Sequence, residues 1–352
     1  MTRAKSDTSP EHAAPTRMAL EAGEAGAAVA TQLTRNREAM AALGRELRAR
    51  PPRAVLTCAR GSSDHAATYA KYLIETHTGV LTASAAPSVS SIYFAKQNLA
   101  GVLCLAISQS GRSPDLLATA RAAKDAGATL VTLVNADDAP LAAVADYALP
   151  LCAGPERSVA ATKSFLCSLA ALAHLVAEWT ADHALLDRLL ALPELLQQAW
   201  QLDWNPAVER LGRAEHAYVI GRGLGLGVAQ EAALKCKETC GLHAEAFSSA
   251  EVAHGPQALL GPDFPALVLS QRDDTQSGVA ALARTLAARG VDVLLAGVEV
   301  PGALPLPTLA ADPVLEPLLM AQTFYRMANE LALARGRDPD RPPHLNKVTE
   351  TL

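Results

Sequence analysis

Short apolar runs alternate with longer segments of helical periodicity through most of the chain. The runs are four to seven residues long, the usual length of strands buried on both faces of a parallel sheet. The pattern predicts strands near Ala54–Cys58, Val102–Ser108, Thr129–Asn135, Ala217–Ile220, Ala266–Leu269 and Val291–Ala296. Because the intervening segments have the spacing of crossover helices, we predict an α/β protein with parallel sheets.

The two halves of the chain resemble each other in one register. Arg60-Gly61 matches Arg222-Gly223, and Ser108-Gln109 matches Ser270-Gln271, both with an offset of 162 residues. A third match, AAKDAGATLVTLV with LAARGVDVLLAGV, needs a one-residue insertion. Internal repetition of this kind indicates duplicated units. We therefore predict two tandem three-layer α/β/α domains.

The predicted organisation has four segments, and the length of 352 residues suits two domains. In chain order they are a mobile N-terminal tail (1–17), N-terminal helices with the first domain (18–200), the second domain (201–340), and a C-terminal tail over the active site (341–352). The N-terminal tail is predicted to be mobile because it is polar and interrupted by prolines.

Charge and composition exclude several classes of protein. Lys and Arg total 31 against 36 acidic residues, and no basic run is long enough to cover a phosphate backbone, so nucleic acid is not expected as a partner. No apolar stretch reaches the ~20 residues of a membrane span, and the N-terminus has no apolar signal core. The six cysteines form no CxxC pair and lie mostly in apolar runs, which is typical of a reducing compartment. We expect a cytoplasmic protein without disulfides.

The sequence SQSGRSPD follows the second predicted strand and opens a helix. Ser113 suits the N-cap and Pro114 the first turn, where free N–H groups and the helix dipole favour an anion. By itself this segment fits a Ser-rich capping turn equally well. The matching loop in the second half carries Asp273 and Asp274, whose charges would repel a dianion, so we expect phosphate only in the first half. A second hydroxyl-rich turn, Gly61-Ser62-Ser63, follows the first strand.

The second half has the densest set of ionisable groups. Glu231, Lys235 and Glu238 are spaced four and three residues apart, which places them on one face of a helix. Such a face is usually only solvated, but the rest of this helix is apolar, and we therefore predict that the charged stripe lines a cleft. His254 precedes Gly-Pro and, with an unperturbed pKa of about 6.5, is a candidate acid–base. Lys347 in the C-terminal tail carries no signal by itself.

Six ordered segments together resemble a known family. They are GSS, SQSGRSPD, ERSVAATKSF (156–165), EAALKCKETCGLHAEAF, AEVAHGP and HLNKVTETL. The segments resemble the tandem sugar-isomerase (SIS) domains of glucosamine-6-phosphate synthase from about residue 40 to the end. Among shorter relatives, they are most similar to the SIS-type glucosamine-6-phosphate deaminases.

The resemblance implies a role for each matching residue. It makes Glu238 the base that moves a proton between C1 and C2 and Lys235 a sugar-binding group that supports this site. His254 would open the pyranose ring from the neighbouring subunit of a homodimer, and Lys347 would form a Schiff base with the ketose or polarise its carbonyl. The implied phosphate ligands are Ser63, Ser108, Gln109, Ser110 and Ser113. The implied sugar contacts are Gly61, Ser62, Val159 and Asn346. No metal or organic cofactor is implied.

Two departures from the synthase affect the expected reaction. No cysteine precedes Cys58, and too few residues precede the matched region for a glutaminase domain, so we expect no ammonia from glutamine. Ala161 stands where the synthase has Ser, which leaves the sugar open. We expect conversion of glucosamine 6-phosphate to fructose 6-phosphate and ammonia. A fructosamine-6-phosphate deglycase and a non-catalytic sugar-phosphate-binding regulator are the alternatives.

Overall fold

The computed structural model describes residues 14–347, so most of the predicted N-terminal tail and the last five residues of the C-terminal tail lie outside the described residues. Helices form the flanking layers. They are α1 (Arg17–Gly23), α2 (Ala25–Ala49), α3 (Ser62–Thr78), α4 (Pro87–Ser91), α5 (Pro114–Asp125), α6 (Pro140–Ala143), α7 (Lys163–Thr180), α8 (His183–Trp200), α9 (Asn205–Leu211), α10 (Gly225–Glu238), α11 (Ser249–Ala253), α12 (Gln276–Ala288) and α13 (Glu316–Ala334).

The first half of the chain forms a sheet of five parallel strands in the order β2-β1-β3-β4-β5. The strands are β1 (Ala54–Cys58), β2 (Thr82–Ser84), β3 (Val102–Ser108), β4 (Thr129–Val134) and β5 (Tyr147–Pro150). All seven residues of β3 are buried, because this central strand is covered on both faces by helices. In the register of the sheet, Cys58 pairs with Ala106, so β1 and β3 end close together.

The second half forms another sheet of five parallel strands. Its strands are β6 (His216–Gly221), β7 (His243–Ser248), β8 (Ala266–Leu269), β9 (Val293–Ala296) and β10 (Leu304–Leu306). Their order, β10-β9-β8-β6-β7, places the first strand of each half between the second and the third. The predicted pair of α/β/α domains with parallel sheets is confirmed.

The predicted strands match β1, β3, β4, β6, β8 and β9. Three pairs of bounds are identical, β4 and β9 differ by one and two residues at one end, and β6 is one residue longer at each end. Four strands were not predicted: β2, β5, β7 and β10. Each of them lies at an edge of its sheet and is partly exposed, so its sequence lacks the continuous apolar run of a central strand. The predicted domain bounds at residues 17, 200 and 340 stay predictions.

The two halves share one continuous hydrophobic core, built largely from helices α2, α3, α7, α8, α10 and α13. Helices α3 and α10 cross closely at Gly227, where an added Cβ atom would lie 2.5 Å from the backbone oxygen of His65. Only a residue without a side chain fits this crossing. It brings the first turn of α3 next to the last turns of α10. No helix within residues 14–347 is long and apolar enough to cross a membrane.

Candidate functional site

Two helix N-termini meet at the carboxyl edge of the first sheet. Helix α3 begins directly after β1, and α5 begins after β3 with Ser113 at its N-cap and Pro114 at its first position. Because β1 and β3 are neighbours, Ser63 in the first turn of α3 and the loop 108–113 flank the same edge. The positive ends of two helix dipoles thus face a group of hydroxyls, which is the arrangement that binds phosphate.

The loop between β3 and α5 is held by its own side chains. Ser108 Oγ accepts a hydrogen bond from Gly111 N at 2.9 Å, and Ser110 Oγ accepts one from Arg112 N at 3.3 Å. Gly111 has φ of +62°, and Gln109 is half-buried beside it. The Ser113 side chain makes no capping hydrogen bond to its helix. Its hydroxyl is therefore not needed by the helix and is a good candidate for a phosphate ligand.

Arg60 joins the two hydroxyl-rich turns. Its Nε and Nη2 donate to Asp115 Oδ2 at 2.9 and 2.8 Å, and the Asp115 carboxylate is buried in the first turn of α5. A guanidinium paired in this way positions α5 relative to the turn after β1. This is a structural role, and Arg60 need not contact phosphate to perform it.

The corresponding loop of the second sheet is filled by a carboxylate of the chain itself. Asp273 Oδ2 accepts from Gln271 Nε2 at 2.8 Å, and Asp273 Oδ1 accepts from Thr275 N at 2.8 Å and from Thr275 Oγ1 at 2.5 Å. An internal anion therefore takes the donors at the start of α12. The contrast with the loop after β3 supports the prediction that only the first half holds phosphate.

Lys235 lies at the centre of a charged cluster between the two halves. Its ammonium is buried and contacts Glu238 Oε2 at 2.6 Å, Ser62 Oγ at 3.1 Å and Glu231 Oε1 at 3.3 Å. Burial alone would lower the pKa of Lys235, but the two carboxylates outweigh it and raise this pKa above its usual value. The cluster thus places a permanent positive charge against Ser62, the residue that precedes Ser63 in the sequence.

Glu231 is buried behind Lys235 and is held by both halves of the chain. His65 Nδ1, on α3, lies 3.0 Å from Glu231 Oε2, and Tyr325 OH, on α13, donates to Glu231 Oε1 at 3.0 Å. Burial alone would raise the pKa of Glu231, but Lys235 and His65 outweigh it and lower this pKa. Glu231 is therefore a fixed negative charge that orients Lys235.

This arrangement corrects one expectation from the sequence. The stripe of Glu231, Lys235 and Glu238 does not line a cleft uniformly, since the first two are 1% exposed and only the Glu238 side chain, at 23%, reaches the surface. Helices α3 and α13 cover the inner part of the stripe. Glu238 is thus the member of the stripe that is accessible to a ligand.

Glu238 faces a cavity of about 280 Å³ at the end of α10. The C-terminal tail forms one wall of this cavity, which is lined by Lys237, Glu238, Thr239, Gly241, Arg337, Asp338, Pro343 and Leu345. A carboxylate in such a position can exchange a proton with a small ligand, and the Lys235 ammonium at 2.6 Å holds its Oε2 in place.

The tail continues to the first half of the chain. Lys347 Nζ donates to Glu156 Oε2 at 3.2 Å, although 191 positions separate the two residues. Asn346 is exposed, and Val159, in the loop that follows Glu156, is half-buried. The tail therefore brings the predicted Lys347 and Asn346 close to the loop that carries Val159.

His254 stands apart from this group. It follows α11 and is exposed, and no side-chain hydrogen bond or ion pair within residues 14–347 involves it. The chain brings together Ser62, Lys235 and Glu238 but does not bring His254 to them. Its predicted contribution across a subunit interface stays a prediction.

Four residues that contact the Lys235 cluster or Lys347 were not predicted as site residues: His65, Glu156, Glu231 and Tyr325. The spacing of Glu231 from Lys235 was a usable signal, and Glu156 lies within the segment ERSVAATKSF. His65 and Tyr325 are 166 and 94 positions from Glu231 and carry no local signal. In the part of the chain that the structure describes, there is no group of three or more His, Cys, Asp or Glu side chains that could hold a metal ion.

The chain is similar to proteins of one known family. The SIS domain family matches residues 50–177 and 210–296. Glutamine–fructose-6-phosphate aminotransferase of Thermotoga maritima is 34% identical over 315 residues, which cover 83% of this chain and 50% of that protein. The chain spans about half the length of the curated relatives it matches.

Solved structures show the same architecture. A candidate phosphosugar isomerase from Silicibacter pomeroyi is 41% identical with a TM-score of 0.89, and the match covers 93% of this chain and 100% of that one. Glucosamine-6-phosphate deaminase of Thermotoga maritima has a TM-score of 0.75 over 96% of this chain and 100% of that one, but at 21% identity it shows the fold alone. The two family segments contain the loop 108–113 and the Lys235–Glu238 pair, and the chain belongs to the SIS domain family.

Proposed function

We propose that the protein is an aminosugar-phosphate deaminase/isomerase that converts glucosamine 6-phosphate to fructose 6-phosphate and ammonia. The contact of Lys235 Nζ with both Ser62 Oγ and Glu238 Oε2 carries this proposal. It joins the hydroxyl-rich edge of the first sheet to an accessible carboxylate of the second half. One sugar phosphate can therefore place its anionic end in the first half and its reacting carbons beside Glu238.

The phosphate end supplies affinity and orientation. We assign its contacts to the N-termini of α3 and α5, through Ser63, Ser108, Gln109, Ser110 and Ser113. Neutral hydroxyl and amide donors at two helix N-termini bind a dianion without requiring a counter-charge. Gly61, Ser62, Val159 and Asn346 are assigned to the sugar itself.

The chemistry takes place at C1 and C2 of the open-chain sugar. Glu238 removes the proton from C2 and returns it to C1, while O1 gains a proton and the amino nitrogen loses one. The C1 carbonyl thereby becomes a hydroxymethyl group and C2 becomes an imine. Water then adds to C2, and ammonia leaves to give the ketose. Lys235 and Lys347 offset the negative charge that develops on oxygen during the proton transfer.

Ring opening precedes this transfer, and we assign it to His254. An imidazole side chain can donate a proton to the ring oxygen and then take another from solvent. Because His254 is exposed and lies outside the Lys235 cluster of its own chain, we propose that it acts in the site of a second subunit of a homodimer.

Ammonia release from a panel of sugars tests the proposal. The panel contains 2-amino-2-deoxyhexose 6-phosphates of gluco and galacto configuration and fructosamine 6-phosphate. We expect release from an aminosugar phosphate, with a loss of about 10²–10⁴-fold in kcat for Glu238→Gln. Glu245→Gln, an exposed carboxylate on β7, is the matched control and should retain activity.

Other outcomes identify the alternatives. Release only from fructosamine 6-phosphate would contradict the aminosugar assignment and indicate a deglycase. Binding of sugar phosphate without turnover of any panel member would contradict catalysis and indicate a sensor or regulator.

A further inference from the structure

The C-terminal strap, defined as residues 337–347, runs from the second half of the chain to the first. Arg337 packs on Gly241 at the end of α10, and Pro343 and Leu345 lie beside Glu238. At the far end, Lys347 contacts Glu156 of the first half. The strap therefore crosses the cavity in front of Glu238 and is anchored on the opposite domain.

Glu156 is the far anchor of this strap, and it is a fully buried carboxylate. Its Oε1 accepts from Thr162 N at 3.0 Å and Ser164 N at 3.2 Å, and its Oε2 accepts from Ser164 Oγ at 2.6 Å. All of these donors are neutral. The cation that compensates the charge is Lys347, whose ammonium lies 3.2 Å from Oε2. A buried carboxylate that is paired with an ammonium strongly favours the position of that ammonium, because separation would leave the buried charge uncompensated.

Helix α1 links the two ends of the strap. The Asp340 carboxylate accepts from the backbone N–H groups of Arg17 and Met18, both at 2.8 Å, at the start of α1. Glu21 of the same helix accepts from Arg157 N at 2.6 Å and also from the N–H of the next residue. The loop that follows Glu156 and the near end of the strap are therefore held by one helix, so that the distance between the two anchors is fixed.

We propose that Glu156 is the positioning residue that docks the C-terminal strap, and that Lys347 is held at the site only while Glu156 binds its ammonium. The assignment deepens the proposed function and depends on it for the chemical role of Lys347. Glu156 itself contacts no reacting atom. It acts through Lys347 and through the wall that the strap forms beside Glu238.

Hydrogen–deuterium exchange tests the docking without substrate. In Glu156→Gln, the amide oxygen can still accept from the loop N–H groups, while the amide NH₂ cannot accept from Lys347. We expect exchange of the strap amides to rise about 10- to 100-fold, since hydrogen bonds to charged groups contribute about 1.5–3 kcal/mol. Lys347→Met should raise strap exchange equally and leave the loop 156–164 protected. Unchanged strap exchange in Lys347→Met would overturn the proposal.

A matched control separates docking from general loosening of the loop. Glu24 pairs with Lys163 at 2.6 Å next to the same loop and does not contact the strap. Glu24→Gln makes the same chemical change as Glu156→Gln and should leave strap exchange at the wild-type level. Equal effects of the two substitutions would show that Glu156 only supports the loop.

A double-mutant cycle tests whether Glu156 acts through Lys347 during turnover. In the wild-type background, Glu156→Gln should lower kcat about 10-fold or more with little change in KM, because the phosphate contacts are untouched. In the Lys347→Met background, the same substitution should change kcat by less than about twofold. Equal losses in both backgrounds would overturn the positioning role. The exchange experiment stands without turnover, so failure of the deaminase assignment is distinguishable from failure of the docking assignment.

Discussion

Replacing Lys235 by Met removes the cation on which the centre of the site depends. The Lys235 ammonium is 1% exposed and lies 2.6 Å from one carboxylate and 3.3 Å from another. Met has a similar length and is apolar, so the substitution deletes the charge with little change in volume. Glu231, also 1% exposed, is left without its ammonium partner.

The size of the effect follows from what remains around Glu231. Removing one member of a buried ion pair costs about 3–5 kcal/mol, because the other charge is left uncompensated. Glu231 keeps its hydrogen bonds from His65 and Tyr325, and we therefore expect the lower end, about 3 kcal/mol of unfolding free energy. Adding Glu231→Gln to Lys235→Met should restore about 1 kcal/mol or more, since it removes the orphaned charge.

Urea denaturation at several pH values measures this loss. Lys235 lowers the pKa of Glu231, so in the wild type the stabilisation from this carboxylate is present above its unfolded pKa and is lost as pH falls through its folded value. In Lys235→Met, burial dominates and raises the pKa of Glu231. The deficit of the variant should therefore shrink as the pH is lowered from 7 towards 4.

A neighbouring lysine provides the control. Lys237 lies two positions away on the same helix and is exposed, and its ammonium donates to Ala244 O. Lys237→Met should change stability by less than about 1 kcal/mol. A Lys235→Met protein as stable as Lys237→Met, with an unchanged denaturant slope, would refute the view that Lys235 compensates a buried carboxylate.

Two further predictions concern the core and the loop 108–113. Burial lowers the pKa of His174 from 6.5 to about 4, so the folded protein should lose about 3 kcal/mol of unfolding free energy as pH falls across that interval. In denaturation curves at several pH values, His174→Leu should remove this acid sensitivity, whereas the exposed His183→Leu should retain it. Parallel pH profiles for His174→Leu and the wild type would contradict this reasoning. A Cβ added at Gly111 would lie 2.6 Å from the Cβ of Ala139, whereas Gly154 has a similar positive φ and open space around it. Gly111→Ala should therefore cost about 1–3 kcal/mol more unfolding free energy than Gly154→Ala, and it should raise KM for the sugar phosphate. Equal costs of the two substitutions in thermal unfolding would contradict the crowding argument.

Central strands and helix α10 could be predicted from local sequence. The all-buried strand β3 produces a continuous apolar run, and the three-and-four spacing around Lys235 predicts one helical face. The loop at Ser113-Pro114 could be placed at a helix start because capping preferences are local. Such features need no knowledge of distant residues.

Other features depend on contacts between distant parts of the chain. The burial of Glu231 results from α3 and α13 packing over α10, and that packing requires the close approach at Gly227. The pairing of Glu156 with Lys347 likewise joins residues 191 positions apart. Periodicity and spacing carry no information on either, so the sequence predicted that the whole stripe lines a cleft and gave no signal for Lys347 by itself.

Exchange of carbon-bound hydrogen with solvent tests the central claim most directly. The claim is that one sugar phosphate is bound by the hydroxyl-rich edge of the first domain and undergoes proton transfer at Glu238 of the second. In ²H₂O, wild-type protein should introduce deuterium at C1 or C2 of the bound sugar phosphate. Glu238→Gln should lower that rate by about 10²-fold or more, with a Kd for the sugar phosphate close to that of the wild type. Deuterium incorporation by Glu238→Gln at the wild-type rate would contradict the account.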